Sequence, residues 1–203
     1  MKYFILLFCL TLLSNSLLAQ PKPKLNWHPN RYYMELGPLF GVNKYYQKKF
    51  DKNYNHPNSV GLSGAAVAFV VGGSWYQFKY RLFANSDANW PVSWFGTALL
   101  FGIVRHRQHS AFDLNIGIGY QLPRYKTTEV FPGRTVYNDH TDHQLGIVTE
   151  LHYQFTAKAV GISPFLFGNF NLKAYSIGLD IAIMLGKPGY SDKEWKKVAP
   201  TCL

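Results

Sequence analysis

Residues 173–187, KAYSIGLDIAIMLGK, alternate so regularly that they fit an extended chain with two unlike faces. Successive side chains of a strand point to opposite sides. Tyr175, Ile177, Leu179, Ile181, Ile183 and Leu185 therefore share one face, and Ala174, Ser176, Gly178, Asp180, Ala182 and Met184 share the other. Such a pattern suits two opposite proteins: a soluble β-domain with its apolar face inward, or a membrane barrel with its apolar face toward lipid. The period of one strand cannot choose between them, but strand length, connections and chain ends can.

Eight stretches read as strands: 31–42, 60–71, 74–84, 93–104, 111–122, 143–155, 159–169 and 173–186. Most run ten residues or more. Soluble strands have a mode near 5–6 residues, whereas a tilted membrane strand needs about 9–11. The connections alternate long and short, as membrane barrels require: 43–59 is long, Gly72-Gly73 tight, 85–91 longer, 105–109 short, 123–142 long and 156–158 short. Only the last, Phe170-Asn171, is briefer than the pattern asks. Aromatic residues gather near the ends of the strands, where amphipathic rings favour a membrane surface. Tyr32, Tyr33, Trp75, Tyr76, Tyr153 and Phe155 mark one end, and Tyr45, Tyr46, Trp90, Trp94, Tyr120, Phe170 and Tyr175 the other. A soluble barrel would more naturally place such rings in its core.

On this reading Asp180 faces a wet interior. In the fifth strand Phe112, Leu114, Ile116, Ile118 and Tyr120 face lipid, and Asp113, Asn115 and Gln121 face inward. In the sixth, Leu145, Ile147, Leu151, Tyr153 and Phe155 face lipid, opposite Gln144, Glu150, His152 and Gln154. The second and seventh strands are apolar on both faces. Pro164 in the seventh cannot donate to a ladder, which predicts a bulge or a locally unpaired place.

The ends are different material. Residues 1–19 have a Lys, an apolar run from Tyr3 to Leu13, a polar break and a small residue at Ala19, the layout of a cleaved secretory signal peptide. The run is far below the roughly 20 residues of a spanning helix. Residues 20–30 and 188–203 read as periplasmic segments around a barrel spanning 31–187. Cys9 falls in the signal and Cys202 next to the last residue, so the mature chain is expected to have no internal disulfide. Charged residues are only 16% of the chain, against about 25% in a typical soluble domain.

With these features the chain resembles the small outer-membrane β-barrel family of Gram-negative bacteria, the porin-like and opacity-type proteins. The resemblance covers 31–187 and rests on the signal peptide, the final strand YSIGLDIAIML and glycine-rich strands such as FDLNIGIGYQL. It implies an all-β, closed, antiparallel, up-and-down transmembrane barrel of about eight strands in the outer membrane. Such barrels commonly finish on an aromatic residue, whereas here a polar tail follows Gly186. The resemblance specifies architecture and no activity. A structural or interactive role is expected: envelope integrity, adhesion, or assembly with a secretion or transport complex. A narrow solute or ion channel and a lipid A-modifying enzyme are the alternatives, and a soluble lipocalin-like barrel is the alternative fold.

Ionisable residues with inward parity are the first candidates for chemistry: Glu35, Lys79, Arg81, Asp113, Glu150, His152 and Asp180. Eight strands enclose only enough room for side chains to fill. These groups are therefore expected to form a hydrogen-bonded plug in which Lys79 and Arg81 pair with members of the Glu35, Glu150 and Asp180 set. Glu150 and His152 could orient a nucleophile, yet no His-x-Ser motif accompanies them. The cluster YNDHTDH, residues 137–143, offers imidazoles and carboxylates without an established metal spacing. It reads as a solvated loop, as do His106 and His109 in a turn. No catalytic residue, metal or cofactor is assigned.

The formal charge of +10 falls by one without Lys2. Lys44, Lys48, Lys49, Lys52, Arg124, Lys126 and Arg134 lie in the inferred outer loops, where they could bind the phosphates of lipopolysaccharide. Export and lipid-facing strands argue against nucleic acid as the polyanion. The expected partners are outer-membrane lipid, lipopolysaccharide and envelope proteins.

Overall fold

The computed structural model describes residues 29–45, 59–87, 90–132, 134–141, 143–157, 159–172 and 174–198. The proposed signal peptide, Cys9, Cys202, Lys48, Lys49 and Lys52 lie outside them. The strands are β1 (Arg31–Tyr45), β2 (Ser59–Gly72), β3 (Tyr76–Asp87), β4 (Trp90–His106), β5 (Ser110–Phe131), β6 (Arg134–Thr141), β7 (Gln144–Thr156), β8 (Val160–Asn171) and β9 (Ala174–Lys187). A short helix, α1 (Asp192–Val198), follows.

Eight of these strands close a ring. Neighbours pair antiparallel from β1 through β5, then β5 with β7, β7 with β8, β8 with β9 and β9 back to β1. β6 stands outside the ring and pairs only with the upper part of β5, from Arg124↔Thr141 to Phe131↔Arg134. The sequence reading placed 123–142 in a loop; the chain instead continues the ladder beyond the barrel as a hairpin. Its residues are mixed polar and apolar without a regular alternation, so periodicity could not reveal it. The segment 137–141 is accordingly strand in β6, and Asp142 lies outside the described residues.

The outside of the ring is apolar. Leu99 (67% exposed), Ile118 (69%), Leu145 (69%), Ile177, Leu179 and Ile181 all face outward. Soluble monomers rarely expose contiguous apolar patches above a few hundred Å², and here the apolar surface runs around the ring. Ring closure removes the sheet edge that lipid could not satisfy. The chain is a closed, antiparallel, up-and-down transmembrane β-barrel. Among the described residues no helix is long and apolar enough to cross a membrane.

Two of the aromatic residues expected at the rim turn inward. Tyr33 and Tyr76 are 5% and 4% exposed, whereas Tyr32, Tyr153 and Phe155 face out. The difference is parity: Tyr33 shares its face with Arg31 and Glu35.

The prolines leave local gaps. Between β7 and β8 the ladder runs to His152↔Phe165 and resumes at Phe155↔Ile162 in the same register, which leaves Pro164 unpaired on that side. A similar gap separates Leu36↔Ile183 from Phe40↔Leu179 on β1 and β9, around Pro38. The Ile181 amide lies within this gap. It donates to Asp180 Oδ1 at 2.5 Å.

Candidate functional site: the filled lumen

Inside the ring the side chains form three tiers. The central tier is ionic. Lys79 Nζ on β3 lies 2.8 Å from Glu35 Oε2 on β1, 2.9 Å from Glu150 Oε2 on β7 and 3.0 Å from His152 Nε2. Arg81, two residues along β3, pairs with Glu150 Oε1. Its guanidinium also sits 5.0 Å from the ring centre of Phe165. β1 is two strands from β3, and β7 lies across the lumen, so these contacts bridge the barrel. Lys79, Glu150 and His152 are each 1% exposed.

His152 stands between opposed partners: its Nε2 lies 3.0 Å from the Lys79 ammonium, which only donates, and 2.9 Å from Glu150 Oε2, which only accepts. Its Nδ1 lies 2.9 Å from Ser163 Oγ. The ring stacks on Phe165 with centres 4.3 Å apart. Glu150, His152 and Ser163 thus stand in a row that superficially matches a nucleophile, base and orienting acid. Ser163 is 0% exposed, so the row is sealed from solvent.

Glu35, Glu150 and His152 are the set that could coordinate a metal, since one ligand atom from each falls within 4.8 Å of the others. Lys79 already puts a positive charge among them. A metal would have to displace that ammonium.

The lower tier, toward the short turns, is mostly amide. Asp113 accepts from Gln77 Nε2 at 3.0 Å, from Gln154 Nε2 and from Asn115 Nδ2. Tyr33 OH donates to Gln77 Oε1 at 3.1 Å. Arg31, fully buried, donates to Gln154 Oε1 at 3.0 Å, to His106 Nε2 at 2.9 Å and to the Pro188 carbonyl at 2.7 Å. Arg31 was not among the candidates, though its parity with Glu35 was legible. His106, expected in a solvated turn, is 5% exposed and belongs to this tier.

The upper tier is looser. Leu39, Phe83, Phe165, Phe167 and Ala182 form an apolar cluster. A cavity of about 20 Å³ beside it is lined in part by Arg81, Asn85, Gln121 and Asn169. That is room for about one water. Asp180 faces inward and is 2% exposed. Its carboxylate takes the Ile181 amide, and it makes no ion pair among the described residues.

The mouth at the short-turn end is covered by the chain's own C-terminal segment. Pro188, Gly189 and Tyr190 are buried. Tyr190 OH donates to Asn30 Oδ1 at 3.0 Å, and its ring meets His106 edge-on at 5.2 Å. α1 then begins with a capping box: Ser191 Oγ accepts from the Glu194 amide, and Glu194 Oε2 accepts from the Ser191 amide at 2.9 Å. Gln108 Nε2 donates to Asp192 Oδ1 at 3.0 Å, and Lys187 Nζ lies 2.6 Å from Glu194 Oε1. The Lys187 contact, with the Ser191 amide, holds the Glu194 carboxyl down at about 2. Residues 188–203 read as a polar tail in the sequence; the Ser-x-x-Glu spacing at 191–194 was the signal for a helix there.

Of the basic residues proposed for outer contacts, Lys44 lies near the end of β1, Arg124 and Lys126 lie on the extended part of β5, and Arg134 opens β6. The backbone thus carries Arg124, Lys126 and Arg134 into the hairpin beyond the ring.

A closed eight-stranded ring with an apolar exterior and an ion-paired interior defines a small transmembrane barrel of the outer-membrane type. The solved structures agree on the fold. Neisserial surface protein A matches with a TM-score of 0.57 at 10% identity, over 78% of this chain and 99% of that one. The attachment invasion locus protein of Yersinia pestis, Ail, matches with a TM-score of 0.53 at 10% identity, again over 78% and 99%. No protein-family model matches the sequence, and no curated protein matches it.

Proposed function

We propose that this chain is an outer-membrane barrel with a structural or interactive role, closed to solutes and acting through its surfaces. The observation that carries the reading is the Lys79 tier. Side chains from β1, β3 and β7 meet across the lumen at 2.8–2.9 Å, which supports a lumen filled at that level. A conductor would need its charges hydrated, whereas these are dry and paired. The secretory layout of residues 1–19 supports export. The two similar structures carry names of surface function, a surface protein and an attachment invasion locus protein, which supports interaction as the role.

The test is conductance. Refolded protein in planar bilayers is expected to show no unitary current steps under an applied voltage. Reproducible steps from heat-modifiable, monodisperse protein would overturn the closed reading. Mass spectrometry of lipid A from cells with and without the protein addresses the enzymatic alternative, with unchanged acyl chains as the expected result.

At the long-loop end, Lys44, Lys48, Lys49, Lys52, Arg124, Lys126 and Arg134 are proposed to meet lipopolysaccharide phosphates through charge-assisted bonds. Replacing Lys44, Lys48, Lys49 and Lys52 by Gln is expected to weaken retention on lipopolysaccharide vesicles. Unchanged retention would dispose of that contact.

A further inference from the structure

The short-turn end carries five exposed cations. Arg105 and Arg107 flank the end of β4, and Lys193, Lys196 and Lys197 lie on α1. The three lysines are spaced i, i+3, i+4 and therefore share one face of the helix. Among the described residues none of the five makes an ion pair. The acids nearby are already engaged: Asp192 accepts from Gln108, and Glu194 is held by Lys187 and Ser191.

The placement of these charges points to their partner. Arg105 continues the outward row of Leu99, Phe101 and Ile103, so its stem lies on the lipid-facing surface and its guanidinium at the edge of the apolar band. Beside it Phe112 and Tyr153 follow across β5 and β7, all three facing outward. Lys187 likewise continues the outward row of Ile181, Ile183 and Leu185. Because Glu194 bonds to Lys187 on β9 and Asp192 accepts from Gln108 beyond β4, on the opposite side of the ring, α1 is held across the mouth at the level of this rim. Cations at the edge of an apolar surface that lipid covers suit a ligand with an acyl chain and an anionic head.

We propose that this rim binds anionic phospholipid headgroups in the membrane leaflet around the short-turn end. The proposal rests on the membrane-spanning reading of the barrel. Arg105 and Arg107 would take phosphates by bidentate bonds, and the α1 lysines would add attraction at the headgroup surface.

The test uses the refolded mature chain in phosphatidylcholine bilayers containing spin-labelled phosphatidylglycerol or spin-labelled phosphatidylcholine, with the motionally restricted fraction measured by electron spin resonance. The expected preference for phosphatidylglycerol is about fivefold, the worth of one cation near an anionic surface. It should fall toward parity in the combined R105Q, R107Q, K193Q, K196Q and K197Q variant. Should that variant misfold, the K193Q, K196Q and K197Q variant, altered only outside the ring, is expected to lose part of the preference. Equal preference in the wild type and these variants overturns the proposal. So does an unaltered lipid preference with lost binding to isolated peptidoglycan sacculi, which would assign the cations to the cell wall. A chain that does not insert, seen as absent heat-modifiable migration, fails the membrane reading instead.

Discussion

Lys79 is the side chain on which the interior most depends. Its ammonium satisfies two carboxylates, so its removal leaves buried charge without a counterion. Lys79→Met is expected to destabilise the folded barrel by about 3–5 kcal/mol, the usual cost of breaking a buried pair. Urea unfolding in lipid vesicles, followed by gel mobility, measures it. Glu194 makes a different prediction, because it is partly exposed and titrates at the mouth. Its folded value of about 2 lies below the ordinary glutamate range near 4.3. A depressed carboxylate contributes stability that is present above the unfolded value and lost as pH falls through the folded one. Docking of α1 should therefore hold at neutral pH and weaken between about pH 4.3 and 2. Trypsin cleavage cannot be followed at such acidity, so Trp195 emission is the readout, with Glu194→Gln as the variant whose acid transition in that window disappears.

Two glycines show how strand packing and ring placement depend on each other. A Cβ at Gly96 would collide with the Phe83 ring, and one at Gly178 with the Phe40 carbonyl and the Phe167 ring. Both glycines make room for large inward rings of the upper tier. Gly178→Val is expected to displace Phe167 and lower stability by about 1–3 kcal/mol, the usual cost of overpacking, measured by the same unfolding experiment. The C-terminal element depends on Tyr190. Tyr190→Ala removes the ring against His106 and the hydrogen bond to Asn30, so α1 should undock. Faster trypsin cleavage at Lys193, Lys196 or Lys197, with the barrel core still resistant, is the expected outcome. Cleavage as slow as in the wild type would show that the capping box and the Gln108 contact suffice to hold α1.

On the proposed closed reading, closure is redundant. The Lys79 tier blocks the lumen at mid-height, and residues 188–190 cover the mouth. Deleting 188–203 should therefore leave the barrel silent in planar bilayers, because the ionic tier stands without the tail. Current steps from that truncated form would place the main barrier at the mouth instead. The pairing of rows also explains the tolerance of two prolines within ring strands. At Pro38 and Pro164 one side of the ladder is interrupted while the register is kept, so the ring closes without a bulge at either place.

How much was legible follows from what each signal depends on. The outward faces of the alternating strands and the inward parity of Lys79, Glu150 and Asp180 follow from a period of two, a property of neighbouring residues along the chain, whereas the second and seventh strands, apolar on both faces, were legible only as apolar runs. Arg31 shared that parity but opened its strand beside a polar segment, where alternation has no earlier residue to establish it. The β5–β6 hairpin is built of mixed residues that carry no hydrophobic period. The partner of each charge is a matter of register and ring closure, which bring β1 and β7 to β3 across the lumen. Alternation therefore determined which side of each alternating strand meets lipid, while only the closed tertiary structure decided that Lys79 bridges Glu35 and Glu150, that Asp180 serves a backbone amide, and that Tyr190 returns to the mouth.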